Sequence, residues 1–469
     1  MSAGGRSTMD AAERFAHHFA STRFEDLPPA LVEFTRQQVL DLLGVAVAGI
    51  GQPGPKQLAE LVTEWGGRGE SSVIGGARKA PAPDAAQVNA TLAHARDYDD
   101  VHERAVMHPG IVSIVPALAL AERAATAFSG RDLITAVALG TDMICRLGLA
   151  TRPGVSPIQT GWHFTTLYGY PTAALTAGRV LGLDAQHLTH AFGIAYHQCS
   201  GNGQCVTDGA LTKRLGPGMA VRGGVVAALL SQKGVTGARQ SLEGEQGLFK
   251  VYHRGEYDRD ALTDGLGIRW EGLNVTLKPY PCCRGVHASI DAALALRHHV
   301  PVDALRLREI VITTGAANHK LLCTPFDAKV RPRNPVDAQF SIPWGVVTAL
   351  RHGRVGMEHF GAAAVADEAT LALAAKVRTE VDATLSSARG VEPARVTLVF
   401  ADGTQASERV DLAAGSPGQP LSWAQCVDKF TDCLGVAGAA APARAGEAVA
   451  LVAELERLPD VRPLIELFA

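Results

Sequence analysis

The stretch Leu31-Val-Glu-Phe-Thr-Arg-Gln-Gln-Val-Leu-Asp-Leu-Leu-Gly-Val-Ala-Val-Ala48 decides the fold of this chain. Its apolar residues recur at helical spacing, and Gly and Ala join Val and Leu towards its end. That pattern predicts a helix. The same texture returns at 56–65, 85–95, 130–149, 169–181 and 219–232, with Gly, Pro or polar breaks between the segments. Small residues on a buried face let helix axes approach closely, so a tight multi-helix domain is expected, not a ring of helices around a sheet.

After about Trp270 the texture changes. Leu307-Arg-Glu-Ile-Val-Ile-Thr-Thr314 reads as a strand, and 394–400 and 405–410 read as a hairpin around Asp402-Gly403. Helices are expected at 285–297 and 340–351. Beyond Ser416 the pattern turns helical again, at 421–434, 447–458 and 461–468, with the Ala/Gly-rich 435–446 as a linker. The expectation is therefore a mainly α chain. A large helical domain is built from both chain ends, residues 1–272 and 412–469, with a smaller α+β domain inserted at 273–411.

Composition fits that plan. The 469 residues exceed one compact core, and 47% hydrophobic against 19% charged residues marks a globular chain. Aromatics are only 6%, so Ala, Leu and Val must fill the core, which suits packed helices. A formal charge of -3 argues against a nucleic-acid binder, which needs a basic face. The first ten residues carry no apolar leader core and no run of about 18 apolar residues occurs, so a cytoplasmic protein outside the membrane is expected. The eight cysteines show no C-x-x-C pair. Neither a zinc module nor a disulfide framework is indicated, and no metal is expected.

The chemistry concentrates between His94 and Gly110. His94-Ala-Arg-Asp-Tyr-Asp-Asp-Val-His-Glu-Arg-Ala-Val-Met-His-Pro-Gly110 holds four carboxylates and three imidazoles. Such groups are costly to bury without partners, so the segment is either a solvated capping loop or a site that uses its charges. Asp97, Asp99, Asp100, His102 and His108 are the candidates. His108-Pro109-Gly110 precedes an apolar run, which sets the imidazole beside a helix N-terminus.

Three further elements carry polar groups. Gln159-Thr-Gly-Trp-His163-Phe-Thr-Thr166 again sets a His at the entry to a small-residue helix; a hydrogen-bonded core histidine is the alternative reading. Lys213 precedes Gly216-Pro-Gly218, read as a turn before a helix start, and is either a surface lysine or part of a positive field suited to a carboxylate. Lys278-Pro-Tyr-Pro-Cys-Cys-Arg284-Gly-Val-His287 joins Lys, Arg and His through two prolines that stiffen the backbone. Rigid cations suit anion recognition. Adjacent Cys282 and Cys283, with no third thiol nearby, read as packing groups.

Together these motifs resemble the MmgE/PrpD family, which includes 2-methylcitrate dehydratase, cis-aconitate decarboxylase and iminodisuccinate epimerase. The resemblance rests on Asp97-Tyr-Asp-Asp with His108-Pro-Gly, on Gly161-Trp-His163 and on Thr212-Lys213 followed by Gly-Met-Ala. It also rests on Leu242-Glu-Gly-Glu-Gln-Gly-Leu-Phe249, on Lys278-Pro-Tyr-Pro-Cys-Cys-Arg284 with His287, and on Pro335-Val-Asp-Ala-Gln-Phe-Ser-Ile-Pro343. It implies a helical domain with an α+β lid, a cleft between them, a homodimer, and a site without metal, iron-sulfur cluster or cofactor. Carried over by motif, the active-site residues are Asp97, His108, His163, Lys213 and Lys278. Two departures stand out. Val101 occupies the place of a Thr in the decarboxylase motif, and 321–326 offers no Tyr to match the one in that enzyme's site.

The substrates this resemblance implies are small polycarboxylates, and the shared step makes or breaks a bond beside a carboxylate. That step needs a base, an acid and fixed cations. His163 and His108 are expected to move protons, with Asp97 orienting one imidazole. Lys213 and Lys278 bind carboxylates, and Arg284 is a further candidate for that task. Dehydration of a 2-methylcitrate-like or citrate-like hydroxy acid is the leading expectation. The alternatives are epimerisation of an iminodisuccinate-like dicarboxylate, cis-aconitate-type decarboxylation, and a non-catalytic anion-binding scaffold.

Overall fold

A computed structural model describes residues 9–152, 155, 157–300, 306–387, 390–438 and 442–469. It is mainly helical. The principal helices are α1 (Ala11–Ser21), α2 (Pro29–Ala48), α3 (Pro55–Trp65), α4 (Ala82–His94), α5 (Pro109–Arg123), α6 (Gly130–Ala150), α7 (Phe164–Val180), α8 (Ala185–Tyr196) and α9 (Thr212–Gln232). They continue as α10 (His287–His299), α11 (Ile342–His352), α12 (Trp423–Val436) and α13 (Pro442–Ala453). Four strands form one sheet: β1 (Leu307–Thr314), β2 (Val377–Val381), β3 (Ala394–Phe400) and β4 (Gln405–Val410).

The chain divides into two compact units. One comprises Met1–Ala95, Arg104–Val275 and Trp423–Ala469; the other comprises Arg96–Glu103 and Thr276–Ser422. In the first unit, local signals start each helix. The Asp10 carboxylate accepts from the Ala12 N–H, Ser129 accepts from Asp132 and Asp184 from His187, each satisfying a helix-end donor. Pro29, Pro55 and Pro109 open α2, α3 and α5, where a missing N–H costs nothing. Close packing follows from small residues: a Cβ on Gly44 of α2 would lie 2.8 Å from the ring of Phe430 on α12. Beside it Lys429 and Asp41 form a buried ion pair at 2.6 Å, which ties α12 to α2.

The motif around Leu242 is a structural knot in this unit. Glu243 accepts from the Ala11 N–H at 2.8 Å, from Tyr257 at 2.9 Å and from Arg259 at 2.6 Å, while Asp10 accepts from the Glu243 N–H. A second knot lies on α6. Arg146 is fully buried, pairs with Asp142 at 2.6 Å and donates to the carbonyls of Asp264 and Arg269. Burial pushes the Asp142 carboxyl up to about 6 despite that cation. Helix α6 is the one described helix long and apolar enough to cross a membrane; 94% of its apolar window is buried inside the protein.

In the second unit the sheet order is β2-β1-β3-β4. β1 and β2 are parallel, with Ile310 opposite Val377; β1 and β3 are antiparallel, with Ile312 opposite Val396; β3 and β4 are antiparallel. Ile310, Ile312, Val396 and Leu398 share one core with Ile290 of α10 and Trp344, Val346 and Leu350 of α11.

Several expectations are corrected. The helix expected from 219 begins at Thr212 and runs through Pro217, so Gly216-Pro-Gly218 is helix and not a turn. Its glycines are needed for packing: a Cβ on Gly218 would lie 2.2 Å from the Thr91 hydroxyl of α4. Strand β2 was not expected. Only its first residue is buried, so it lacks the apolar alternation that marks β1. Residues 442–446, read as linker, open α13, where Ala favours helix despite Gly446. Residues 439–441 of that linker, and most of the N-terminal stretch read for a leader, lie outside the described residues.

Candidate active site

In the first unit, two histidines hold the same position on two helices. His108 is the N-cap of α5 and His163 the N-cap of α7, and neither side chain caps its own helix. His94, in the last turn of α4, lies beside both, its ring 4.8 Å from that of His108 and 6.0 Å from that of His163. Three imidazoles therefore converge, beside two helix ends whose N–H groups carry partial positive charge.

Two adjacent threonines of α7 fix this group. The Thr165 hydroxyl accepts from the His108 backbone N–H at 3.0 Å, and the Thr166 hydroxyl meets His163 Nδ1 at 2.8 Å. The backbone before His163 is held as well. Trp162 bridges Asn202, the His163 N–H donates to the Gly201 carbonyl at 3.3 Å, and the Gly203 N–H donates to Gly161 at 2.9 Å. The same loop ends at Ala210, whose carbonyl accepts from the Lys213 N–H. Lys213 is buried in the first turn of α9 and is not a surface lysine.

In the second unit the acidic segment is buried. Asp97, Asp99, Asp100 and His102 are each at most 4% exposed, which removes the solvated-loop reading. Asp97 has a left-handed backbone (φ 53°), a conformation Asp tolerates better than most residues. Lys278, 1% exposed, donates to the Asp97 carbonyl at 2.7 Å and lies 3.7 Å from its carboxylate. Burial alone would push the Lys278 ammonium down; Asp97 and Asp99 outweigh it and hold it above its ordinary value. Lys278 therefore stays charged.

The rest of this segment is stitched in place. Tyr98 donates to the Pro279 carbonyl at 3.0 Å, and Gln339 of the Pro335 motif donates to the Arg96 carbonyl at 2.6 Å. Arg284 is spent on the fold. Its guanidinium donates to Glu103, to His287 Nδ1, to the carbonyls of Ala413 and Ala414 and to the Ser416 hydroxyl. Burial, then Arg284 and Lys278, push His287 well below the usual imidazole range, so it is neutral. Cys282 is fully buried and its thiol is pushed well up, first by burial, as a packing group would be.

The structure thus gathers His108 and His163 in one unit and Asp97 and Lys278 in the other, and gives Arg284 a structural task. Sequence reasoning missed His94 as a member of the imidazole group and missed the threonine pair. His94 closes α4 at the edge of the acidic segment, and Thr165-Thr166 follow His163 at N2 and N3 of its helix; those positions were the available signals.

Family comparison gives this geometry its context. Residues 13–260 match the model of the MmgE/PrpD N-terminal domain, and residues 280–455 match that of the MmgE/PrpD C-terminal domain. The chain belongs to the MmgE/PrpD family. Among individual proteins it is similar to cis-aconitate decarboxylase of Aspergillus terreus, at 26% identity over 99% of this chain and 97% of that enzyme. It is also similar to the cis-aconitate decarboxylases of Mus musculus, at 25% over 89% of this chain and 85% of the relative, and of Homo sapiens, at 24% over 89% and 86%. These MmgE/PrpD relatives are lyases, and the chain shares its family, along nearly its whole length, with enzymes that act on a small polycarboxylate.

Proposed function

We propose that the protein is a lyase that moves protons at a carbon beside a carboxylate of a small polycarboxylate. The observation that carries this reading is the convergence of His94, His108 and His163 at two helix N-termini. Imidazoles titrate near neutrality and exchange protons in either direction, and helix ends favour anions. In this reading His108 and His163 serve the reacting carbon and its substituents, and Asp97 orients an imidazole. Lys213 and Lys278 bind carboxylates. These groups perform the chemistry with no metal or cofactor. The enzyme is proposed to be a cytoplasmic homodimer without nucleic-acid or membrane partners.

Dehydration of a 2-methylcitrate-like or citrate-like hydroxy acid is the leading specific reaction, because Val101 and Leu321-Leu-Cys-Thr-Pro-Phe326 depart from the decarboxylase pattern. Decarboxylation of cis-aconitate is the second reading, favoured by the names and coverage of the relatives. Epimerisation, the third, involves proton return with no loss of mass. Mass spectrometry of products from 2-methylcitrate, citrate, cis-aconitate and iminodisuccinate separates them. Loss of water supports dehydration, loss of carbon dioxide supports decarboxylation, and no loss of mass from any of the four counts against a lyase.

A further inference from the structure

Thr166 is 4% exposed, and its side chain fills a slot that only glycines leave open. A Cβ on Gly216 would lie 2.5 Å from the Thr166 hydroxyl, and one on Gly201, whose φ is +122°, would lie 2.6 Å from its Cβ and Cγ2. The rotamer is therefore enclosed on two sides. Among the described residues the hydroxyl has one hydrogen-bond partner, Nδ1 of His163 at 2.8 Å.

That enclosure decides which atom carries the proton. A buried hydroxyl hydrogen without an acceptor bears a desolvation penalty. If Nδ1 donated to Thr166, the hydroxyl hydrogen would have no acceptor among these residues. If the hydroxyl donates to Nδ1, both groups are satisfied and neutral His163 carries its hydrogen on Nε2. Thr166 leads the second arrangement because it sits at N3 of the helix that His163 caps, so the two are held by the same turn.

We infer that Thr166 is a positioning residue that locks His163 in the Nε2–H tautomer, which makes His163 a hydrogen-bond donor to negative charge building on the substrate and not the base. The inference rests on the proposed reaction and divides the roles within it. A neutral imidazole that donates from a fixed nitrogen stabilises an enolate-like carboxylate without giving up its proton. It is unsuited to remove a proton through the same nitrogen.

The tautomer is read directly from nitrogen NMR of the full-length protein labelled with 15N-histidine at neutral pH, with the His163 signals assigned by their loss in His163→Gln. The expected result is an Nε2–H imidazole in the wild type and in Thr166→Ser, and a shift towards Nδ1–H in Thr166→Val. Turnover is expected to fall about tenfold in Thr166→Val at nearly unchanged KM, and to be restored by Thr166→Ser. An Nδ1–H His163 in the wild type overturns the inference, as does a Thr166→Val tautomer equal to the wild type. The wild-type reading stands even if the Val variant does not fold. Because that spectrum needs no substrate, failure of the tautomer and failure of the proposed reaction are separate results.

Discussion

Nζ of Lys278 lies 2.7 Å from the carbonyl oxygen of Asp97 and 3.7 Å from its carboxylate, across 181 positions of sequence. This contact anchors the acidic segment 96–103 within the second unit. It also changes what a Lys278 variant is expected to do. Removing one partner of a buried ion pair strands the other charge, at about 3 to 5 kcal/mol. Lys278→Ala should therefore lower the unfolding free energy as well as turnover. Asp97→Asn with Lys278→Met should recover part of the stability in urea titration but none of the activity. Lys278→Ala at wild-type stability would contradict this account.

His163 and His108 are half-buried N-caps whose side chains do not cap the backbone of their helices, so their loss should spare the fold. His163→Ala and His108→Ala are each expected to lower turnover by roughly 10²- to 10⁴-fold, the usual range for removing an acid–base or charge-stabilising group. Steady-state rates and far-UV circular dichroism on the same samples check both halves. Full turnover in either variant would remove that residue from the site.

Arg284 is expected to behave as a structural residue. Its guanidinium serves five partners in the second unit, a geometry that Lys cannot reproduce. Arg284→Lys should lower the thermal midpoint clearly while leaving KM within about twofold, since no substrate contact is assigned to it. A large rise in KM with an unchanged midpoint would return Arg284 to substrate binding.

Acid should weaken the first unit through His253. Its Nε2 is 2.9 Å from the Tyr168 hydroxyl, and burial, then Arg152, push its pKa down to about 4. The unfolded chain takes up this proton near pH 6.5 and the folded chain does not, so stability is lost as pH falls from about 6.5 towards 4. Between pH 8 and pH 5 the loss is about 2 kcal/mol. His18, also held near 4, acts with the same sign, whereas Asp142, held near 6, gains stability over the window between about 6 and 3.8. Urea midpoints of wild type and His253→Gln at the two pH values isolate the His253 share. An equal acid loss in both proteins would contradict it.

Much of this fold is legible in sequence because its signals are local. The helical period of Leu31–Ala48, the strand at 307–314 and the Asp402-Gly403 hairpin are each settled within one element, and each is found where its pattern lies. What escapes is set by tertiary contact. Pro217 and two glycines look like a turn, yet α9 continues through them because Gly218 must pass against Thr91 and Gly216 against Thr166. Strand β2 is an edge strand with one buried residue, held by its parallel register with β1, and edge strands need no alternation.

The candidate site divides in the same way. Residue type and helix-entry position point to His108 and His163, and both prove to be N-caps. Lys278 and Asp97 are each conspicuous in sequence, but their pairing depends on a backbone contact that no local pattern encodes. Arg284 looks like a substrate cation because a cation three residues from His287 in a stiff segment has the right composition; only its five partners reveal its structural task. Thr166 was invisible for the opposite reason. A threonine in a helix is unremarkable until its hydroxyl is seen to have one partner.

Whether the protein is a lyase of small polycarboxylates is read by proton NMR of purified protein in heavy water with 2-methylcitrate, citrate, cis-aconitate and iminodisuccinate, run beside His163→Ala. The expected result is a new alkene signal from a hydroxy acid, or replacement of the cis-aconitate vinyl signal by those of a decarboxylated alkene, in the wild type and neither in the variant. Unchanged spectra for all four acids, or equal conversion by wild type and variant, would contradict it.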